Sequence, residues 1–328
     1  MKNAKIIASG MHVPDKIFSN AYFNELLGED VDTWLRENVQ IYERRWCHEN
    51  ESTADLCHGA ASEALQNAGM KATKIDLIIV ATDTPEYISP STAAVLQHRL
   101  GAKNAGTFDL NAACAGFVTA TETATHYIRS GSVNNVLVVG AYAMSKYLDK
   151  TDKKTVTLFA DGAGAVVLTA TDEKNKGHQT GKLISQGQYT DWMGIYGGGT
   201  KNPISDKVLQ QKDHKLKFVK KFPPELNPQM WSGLAKELAS NMNIGVEEVD
   251  QFLITQININ AIKETLRILD VDQNKAHTVM HHYGYTGSAC IPMAFHEAWQ
   301  KQKVKEGDTL FFIGSGGGLA FAANAFIL

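Results

Sequence analysis

One of the four cysteines of this chain stands where cysteine chemistry is favoured. The run Gly106-Thr107-Phe108-Asp109-Leu110-Asn111-Ala112-Ala113-Cys114 reads as a strand that ends at Asp109-Leu110 and passes at once into a helix. Cys114 then sits in the helix's first turn, where free N–H groups and the positive end of the macrodipole stabilise a thiolate and lower the thiol below its ordinary pKa of about 8.5. A thiolate so placed can attack a thioester and hold the acyl group covalently, if donors are aimed at the oxyanion. A small buried core thiol is the other use of cysteine in such a setting. Cys47, Cys57 and Cys290 have no paired spacing, so packing roles are expected of them, not a disulfide framework or a zinc site.

Two glycine-rich runs and a pair of histidines complete the chemistry-bearing residues. Gly314-Ser315-Gly316-Gly317-Gly318 lies between the final two strands with no helix after it, so it lacks the context of a phosphate-binding loop. Asp161-Gly162-Ala163-Gly164 reads as a tight turn before a buried strand. His281 ends an expected strand over 277–281, and His282 follows it immediately before Tyr283. Because side chains alternate along a strand, one of the two points to the catalytic edge, and His282 is the candidate general base, against a surface or core-satisfying role. His277 and His281 lack a following carboxylate at ligand spacing, and no metal is expected.

The elements that must position these residues alternate in βαβα order. Apolar strands are expected at 75–82, 105–110, 134–143 and 163–171, with helices after Ser89 and from Ala112. After a poorer middle the theme returns: helix 230–242, strand 251–255, helix to Leu269, strand 277–281, helix 292–302, and strands 308–314 and 320–328. Residues 1–170 and 230–328 therefore read as two similar halves, and 171–229, rich in Lys, Gly, Gln and Asp, as a connecting excursion. A net charge of -3 from 32 basic and 35 acidic residues argues against nucleic-acid binding. No run reaches the roughly 20 apolar residues of a membrane span, and the start is too short for a signal peptide, so a cytoplasmic protein is expected.

The stretches TDTPEYISPSTAAVLQHRLGAKNAGTFDLNAACAGF (82–117), VLVVGAYAMSKYLD (136–149), LFADGAGAVVL (158–168), YGGGTKNP (196–203), YGYTGSACIPMAF (283–295) and IGSGGGLAF (313–321) resemble the β-ketoacyl-acyl-carrier-protein synthase III family of the thiolase superfamily. The resemblance implies a five-layer αβαβα thiolase-like fold and a homodimer. It also implies a reaction in which Cys114 takes an acyl group from an acyl-coenzyme A or acyl-carrier-protein donor, with no permanently bound cofactor. The oxyanion donors would be the backbone N–H groups of Cys114 and Gly317.

Two positions depart from the family. Its His-Gln-x-Asn motif is here Thr255-Gln256-Ile257-Asn258, so the histidine is Thr255. Its Tyr-Gly-Asn-Thr motif is Tyr283-Gly284-Tyr285-Thr286, so the asparagine is Tyr285. In the family this pair holds the malonyl thioester and stabilises the enolate formed by decarboxylation. Threonine carries no positive charge and a phenol is far bulkier than a carboxamide, so Thr255 and Tyr285 are expected to serve a different second step. For the donor, the resemblance matches Trp34 to a stacking residue and Asn38 and Lys153 to two arginines. Asn258, and Arg267 on the helix after it with Lys263 one turn earlier, join the donor and carrier-protein surface. Ser89 matches a position that closes the acyl pocket, often with a bulky residue.

The combined reading is an acyltransferase that loads Cys114 and passes the acyl group to a second substrate, in specialised lipid or polyketide metabolism. The alternatives are a decarboxylative 3-oxoacyl synthase with a substituted triad and an inactive ketosynthase-like partner subunit.

Overall fold

A computed structural model of the protein describes residues 2–328. The first half folds as β1 (Asn3–His12), α1 (Thr53–Asn67), β2 (Leu77–Ala81), α2 (Thr92–Leu100), β3 (Gly106–Leu110), α3 (Gly116–Arg129), β4 (Asn135–Ala143) and β5 (Asp161–Thr171). The second comprises β6 (Gly177–Ser185), α4 (Leu226–Met242), β7 (Gln251–Ile254), α5 (Ile259–Leu269), α6 (Cys290–Gln300), β8 (Thr309–Gly316) and β9 (Ala320–Ile327).

Each half supplies one mixed sheet. The first runs in the order β1-β5-β4-β2-β3, with β2 parallel to both neighbours and β5 antiparallel to both. The second runs β7-β8-β9-β6, parallel only between β7 and β8. Continuous apolar runs such as Leu77–Ala81 and Val136–Ala143 are buried on both faces, as strands covered by helices on each side must be. One face of the first sheet packs Ile78, Val80, Leu137, Val139 and Val167 against α1 and α2. The other meets α3 and α6, which also touch the second sheet, and α4 lies across the second sheet's far side. The layers are thus helices, sheet, helices, sheet, helices, the five-layer order expected.

The central helix α3 is the element the site depends on. Its alternation of Ala, Gly and Thr lets both sheets approach, and its threonines at 119, 121, 123 and 125 satisfy their hydroxyls on backbone carbonyls three or four residues earlier. Its buried carboxylate, Glu122, is met by the His178 ring on β6 at 2.6 Å. That contact shows that the excursion expected over 171–229 is not all connection, because β6 lies inside it and completes the second sheet against β9. After β6 the chain is clamped by a reciprocal pair of backbone hydrogen bonds, Gln186 N to Leu319 O at 2.9 Å and Leu319 N to Gln186 O at 3.0 Å. The segment then folds back as a small hairpin pairing Met193-Gly194 with Lys217-Phe218 before α4 begins.

The strand expected over 277–281 does not form. Val279 N and Met280 N both donate to the side-chain oxygen of buried Gln256, at 2.8 and 3.2 Å, and a short helix follows over Met280–Tyr283. A side chain has taken the donors that a sheet ladder would have used.

Candidate active site

Cys114 lies in a tight turn, Ala113–Ala115, between β3 and α3. Ala113 enters it with φ +46°, a left-handed conformation that turns the chain sharply enough to present the next residue. Gly316 at the end of β8 backs onto this turn: a Cβ there would stand 2.5 Å from the Cys114 nitrogen, so only glycine allows the approach. The thiol is 2% exposed.

Beside it is a cavity of about 80 Å³ whose wall includes Cys114, Tyr285, Ser315, Gly316 and Gly317. Phe218, Phe222, Asn227 and Ile257 are shared with an outer cavity of about 630 Å³, which makes these four residues the neck of a passage to the surface. The outer chamber has Trp34, 52% exposed, and Asn38, Asn258 and Asn260 on its wall. Lys154, Lys220 and Lys221 also line it and no carboxylate does, so it suits an anionic ligand.

Burial, then the negative charge of Asp83, pushes the Cys114 thiol well above the usual cysteine range, and the Tyr285 phenol on the same cavity wall opposes this. The expectation of a lowered pKa at the helix start is therefore reversed, because desolvation outweighs the donors. Burial likewise pushes Tyr285 well above its ordinary value, so it remains a phenol and a donor. Its backbone is fixed by hydrogen bonds to Leu158 O and from Ala160 N, both 2.9 Å. Its ring packs on Phe159 with centroids 5.4 Å apart.

The structure brings Cys114, Tyr285 and Gly317 onto one cavity, and Trp34, Asn38 and Asn258 onto the chamber outside it. Other candidates lie elsewhere. Thr255 is buried at the end of β7, where its hydroxyl accepts from Ser315 N at 2.9 Å and donates to Ser315 O at 3.4 Å. It holds the β8 end in place and is absent from the cavity wall. The side chain of His282 is 66% exposed with Nδ1 3.8 Å from Glu43, which removes it from the role of base to Cys114. The alternation argument that favoured it fails because 280–283 is helical. His281 donates from Nδ1 to Gln40 O at 2.7 Å, and His277 is engaged by Glu297 at 2.9 Å.

Lys153 is bound to Glu29 at 3.0 Å, and its neighbour Lys154 lines the chamber instead. Arg267 pairs with Glu264 on the exposed face of α5. Ser89, whose family position reaches across the dimer interface, lines on the single chain a third cavity of about 400 Å³ beside exposed Tyr87 and Ile88. Met193, Phe218 and Asn227 were not singled out from the sequence, and Phe222-Pro223-Pro224, which reads there as a turn outside the core, turns Phe222 into the neck, because the segment has no period that marks a buried face.

Two sheets sandwiching paired central helices, with a cysteine at the first turn of one of them, define a thiolase-like enzyme. Comparison with known proteins agrees. Residues 108–187 match the family model for 3-oxoacyl-[acyl-carrier-protein] synthase III, and residues 239–327 match that for its C-terminal part. The chain is 37% identical to a β-ketoacyl-[acyl-carrier-protein] synthase III of Aliarcobacter butzleri over 97% of its own length and 95% of the relative's. Among solved structures, 3-oxoacyl-[acyl-carrier-protein] synthase III from Aquifex aeolicus superimposes with a TM-score of 0.89 at 31% identity, covering 99% of this chain and 100% of the other. The priming β-ketosynthase of the R1128 polyketide pathway gives 0.92 at 26% identity, covering 100% and 96%. The chain belongs to the 3-oxoacyl-[acyl-carrier-protein] synthase III family.

Proposed function

We propose that this family member loads an acyl group onto Cys114 and passes it to an acceptor other than a decarboxylating malonyl thioester. The observation that carries the reading is Tyr285, whose phenol stands against the nucleophile on the cavity wall while Thr255 has its hydroxyl committed to backbone. Neither position offers the histidine and asparagine that the family resemblance assigns to enolate stabilisation, and loss of one such donor typically lowers a rate by about 10²–10³.

The first step remains available. Cys114 attacks the thioester carbonyl, the bond to the departing sulfur breaks, and the thiol proton ends on the released thiol, so the step needs no net base. Tyr285 supports the thiolate while it forms. Backbone N–H groups of the Cys114 turn and Gly317 are the oxyanion donors in this reading, and substitutions at 255 and 285 leave them in place. The three lysines and Trp34 of the outer chamber would hold the phosphate end of a coenzyme A or carrier-protein donor. The dimer expected from the resemblance would cover Tyr87 and Ile88, which are 55% and 88% exposed on the single chain.

Intact-protein mass spectrometry after incubation with acyl-coenzyme A and acyl-carrier-protein donors tests this, with Cys114→Ala as control and carbon dioxide release from malonyl-carrier protein read in parallel. An adduct that requires Cys114, without carbon dioxide release, is the expected result. Efficient release would replace the reading with ordinary condensation, and no adduct from any donor would replace it with a non-catalytic partner subunit.

A further inference from the structure

The passage to Cys114 narrows at four residues, and three of them, Phe218, Phe222 and Ile257, are apolar. The fourth is Asn227, the one side chain on the walls of both the outer chamber and the inner cavity that can donate and accept hydrogen bonds. Tyr285 and Ser315 belong to the inner wall alone, and the lysines and the other asparagines to the outer wall alone.

Nothing in the local structure accounts for an asparagine at this point. Asn227 is the second residue of α4, whose N-cap position is Glu225, so it does not cap the helix. Buried Trp231, Leu234 and Leu238 follow it at helical spacing. Asn227 therefore heads the stripe by which α4 packs inward, where an apolar side chain is the rule. Its carboxamide makes no hydrogen bond within the protein among the described residues, and neither polar atom is sealed off, so it stands open to the space it lines. An unpaired carboxamide set among three apolar side chains is complementary to another amide, since it can donate to a carbonyl or accept from an N–H.

Thioesters of coenzyme A and of carrier proteins share such a group: an amide whose nitrogen lies two carbons from the sulfur. The dimensions fit. An inner cavity of about 80 Å³ takes about five to eight water-sized groups, so a thioester carbonyl held at Cys114 leaves the next atoms of the thiol arm at the neck. There the amide is stripped of water between Phe218, Phe222 and Ile257, and burying it without a partner is unfavourable. Asn227 is the side chain of the neck that can replace the lost water.

Resting on the acyl-transfer reading, we propose that Asn227 reads the thiol arm of the donor: its carboxamide pairs with the amide nearest the thioester sulfur and seats the carbonyl against Cys114. Asn227 is then a specificity-determining residue of loading, and it acts on the departing thiol, not on the acyl group.

The test is a competition in one tube between two minimal donors of equal length, the N-acetylcysteamine thioester, which keeps this amide, and the pentanethiol thioester, which replaces it with methylenes. Both carry the acyl group that loads from coenzyme A or carrier protein, one in light and one in deuterated form, with the labels then exchanged. The ratio of light to heavy adduct on Cys114 is read by intact mass at early times for the wild type, Asn227→Leu and Asn227→Asp, and divided by the ratio the two donors show toward free glutathione. Because it is a ratio within one sample, a partly unfolded variant does not distort it. The wild type should favour the amide-bearing donor by at least about tenfold, since sites built around a hydrogen bond reject analogues that lack it. Asn227→Leu should abolish or reverse that preference. Asn227→Asp, which keeps an acceptor and loses the donor, should retain it if the arm's N–H is the group held and lose it if the carbonyl is. A wild-type ratio near one, a ratio unmoved by Asn227→Leu, or no loading from the N-acetylcysteamine thioester where whole donors load overturns the role of Asn227 and leaves acyl transfer standing. No adduct from any donor, coenzyme A and carrier protein included, overturns acyl transfer itself and the proposal with it.

Discussion

The two walls around Cys114 are made of different material. On one side the groups are main chain: the Ala113–Ala115 turn, held by Ala113's left-handed backbone and by the contact with Gly316. On the other a side chain, Tyr285, faces the cavity, and a second, Thr255, lies behind the wall holding Ser315 in place. Backbone donors survive any substitution that spares the chain path, whereas side chains can be exchanged one at a time. In the proposed reading, acylation of the cysteine depends on the first kind of wall and the fate of the acyl group on the second.

The largest effect should come from breaking the main-chain wall. Gly316→Ala pushes a methyl into the Cys114 turn, and the loading rate should fall by about 10²–10³ with the nucleophile itself unchanged. Near-normal loading in a quench-flow mass assay would show that the turn can yield. Restoring the family's side chains with Thr255→His and Tyr285→Asn together should raise carbon dioxide release from malonyl-carrier protein by about 10². If release stays at background while loading persists, the side-chain wall is not what separates the two reactions.

Tyr285→Phe removes a phenol placed to donate to the thiolate once it forms, and a hydrogen bond to charge is typically worth about 1.5–3 kcal/mol. Without it the thiol is harder to ionise, so the pH profile of iodoacetamide alkylation at Cys114 should move to higher pH. Loading at neutral pH should slow by about tenfold or more, and a shift to lower pH would contradict the assigned direction of the bond. The smallest effects belong to the mouth. Lys154→Ala, Lys220→Ala and Lys221→Ala should each raise the donor's KM by about two- to fivefold at low salt and less at high salt. Lys153→Ala and Arg267→Ala, whose charges already face Glu29 and Glu264, should change it by less than about twofold.

What could be read in the sequence follows the same division. Strands buried on both faces announce themselves as unbroken apolar runs, so Leu77–Ala81 and Val136–Ala143 were legible. Strand β6 was not, because Gly177–Ser185 carries polar and exposed residues on the edge of its sheet. The error over 277–281 has a definite cause: a distant side chain, Gln256, supplies the pairing that periodicity attributed to a strand. In the site, Cys114 was legible from its strand-to-helix junction, and Tyr285 and Gly317 through their motifs. Lys153 was one residue from the lysine that lines the chamber. Lys153–Val156 is a helical turn, in which each step rotates the side chain by about 100°, so a shift of one residue changes the face presented. Met193 of the inner cavity and the neck residues Phe218 and Phe222 were hidden because tertiary folding, not local period, turns them inward.

The reciprocal hydrogen bonds between Gln186 and Leu319 have a consequence for how new catalysts of this shape arise. They fasten one end of the stretch from Gln186 to Glu225, and α4 anchors the other, so this stretch can be rewritten as a cartridge while the sheets and the nucleophile keep their positions. It carries Phe218 and Phe222, two of the four neck residues, and Met193 on the wall of the inner cavity. Exchange of this one insert between related chains should therefore transplant substrate gauge without rebuilding the engine behind it.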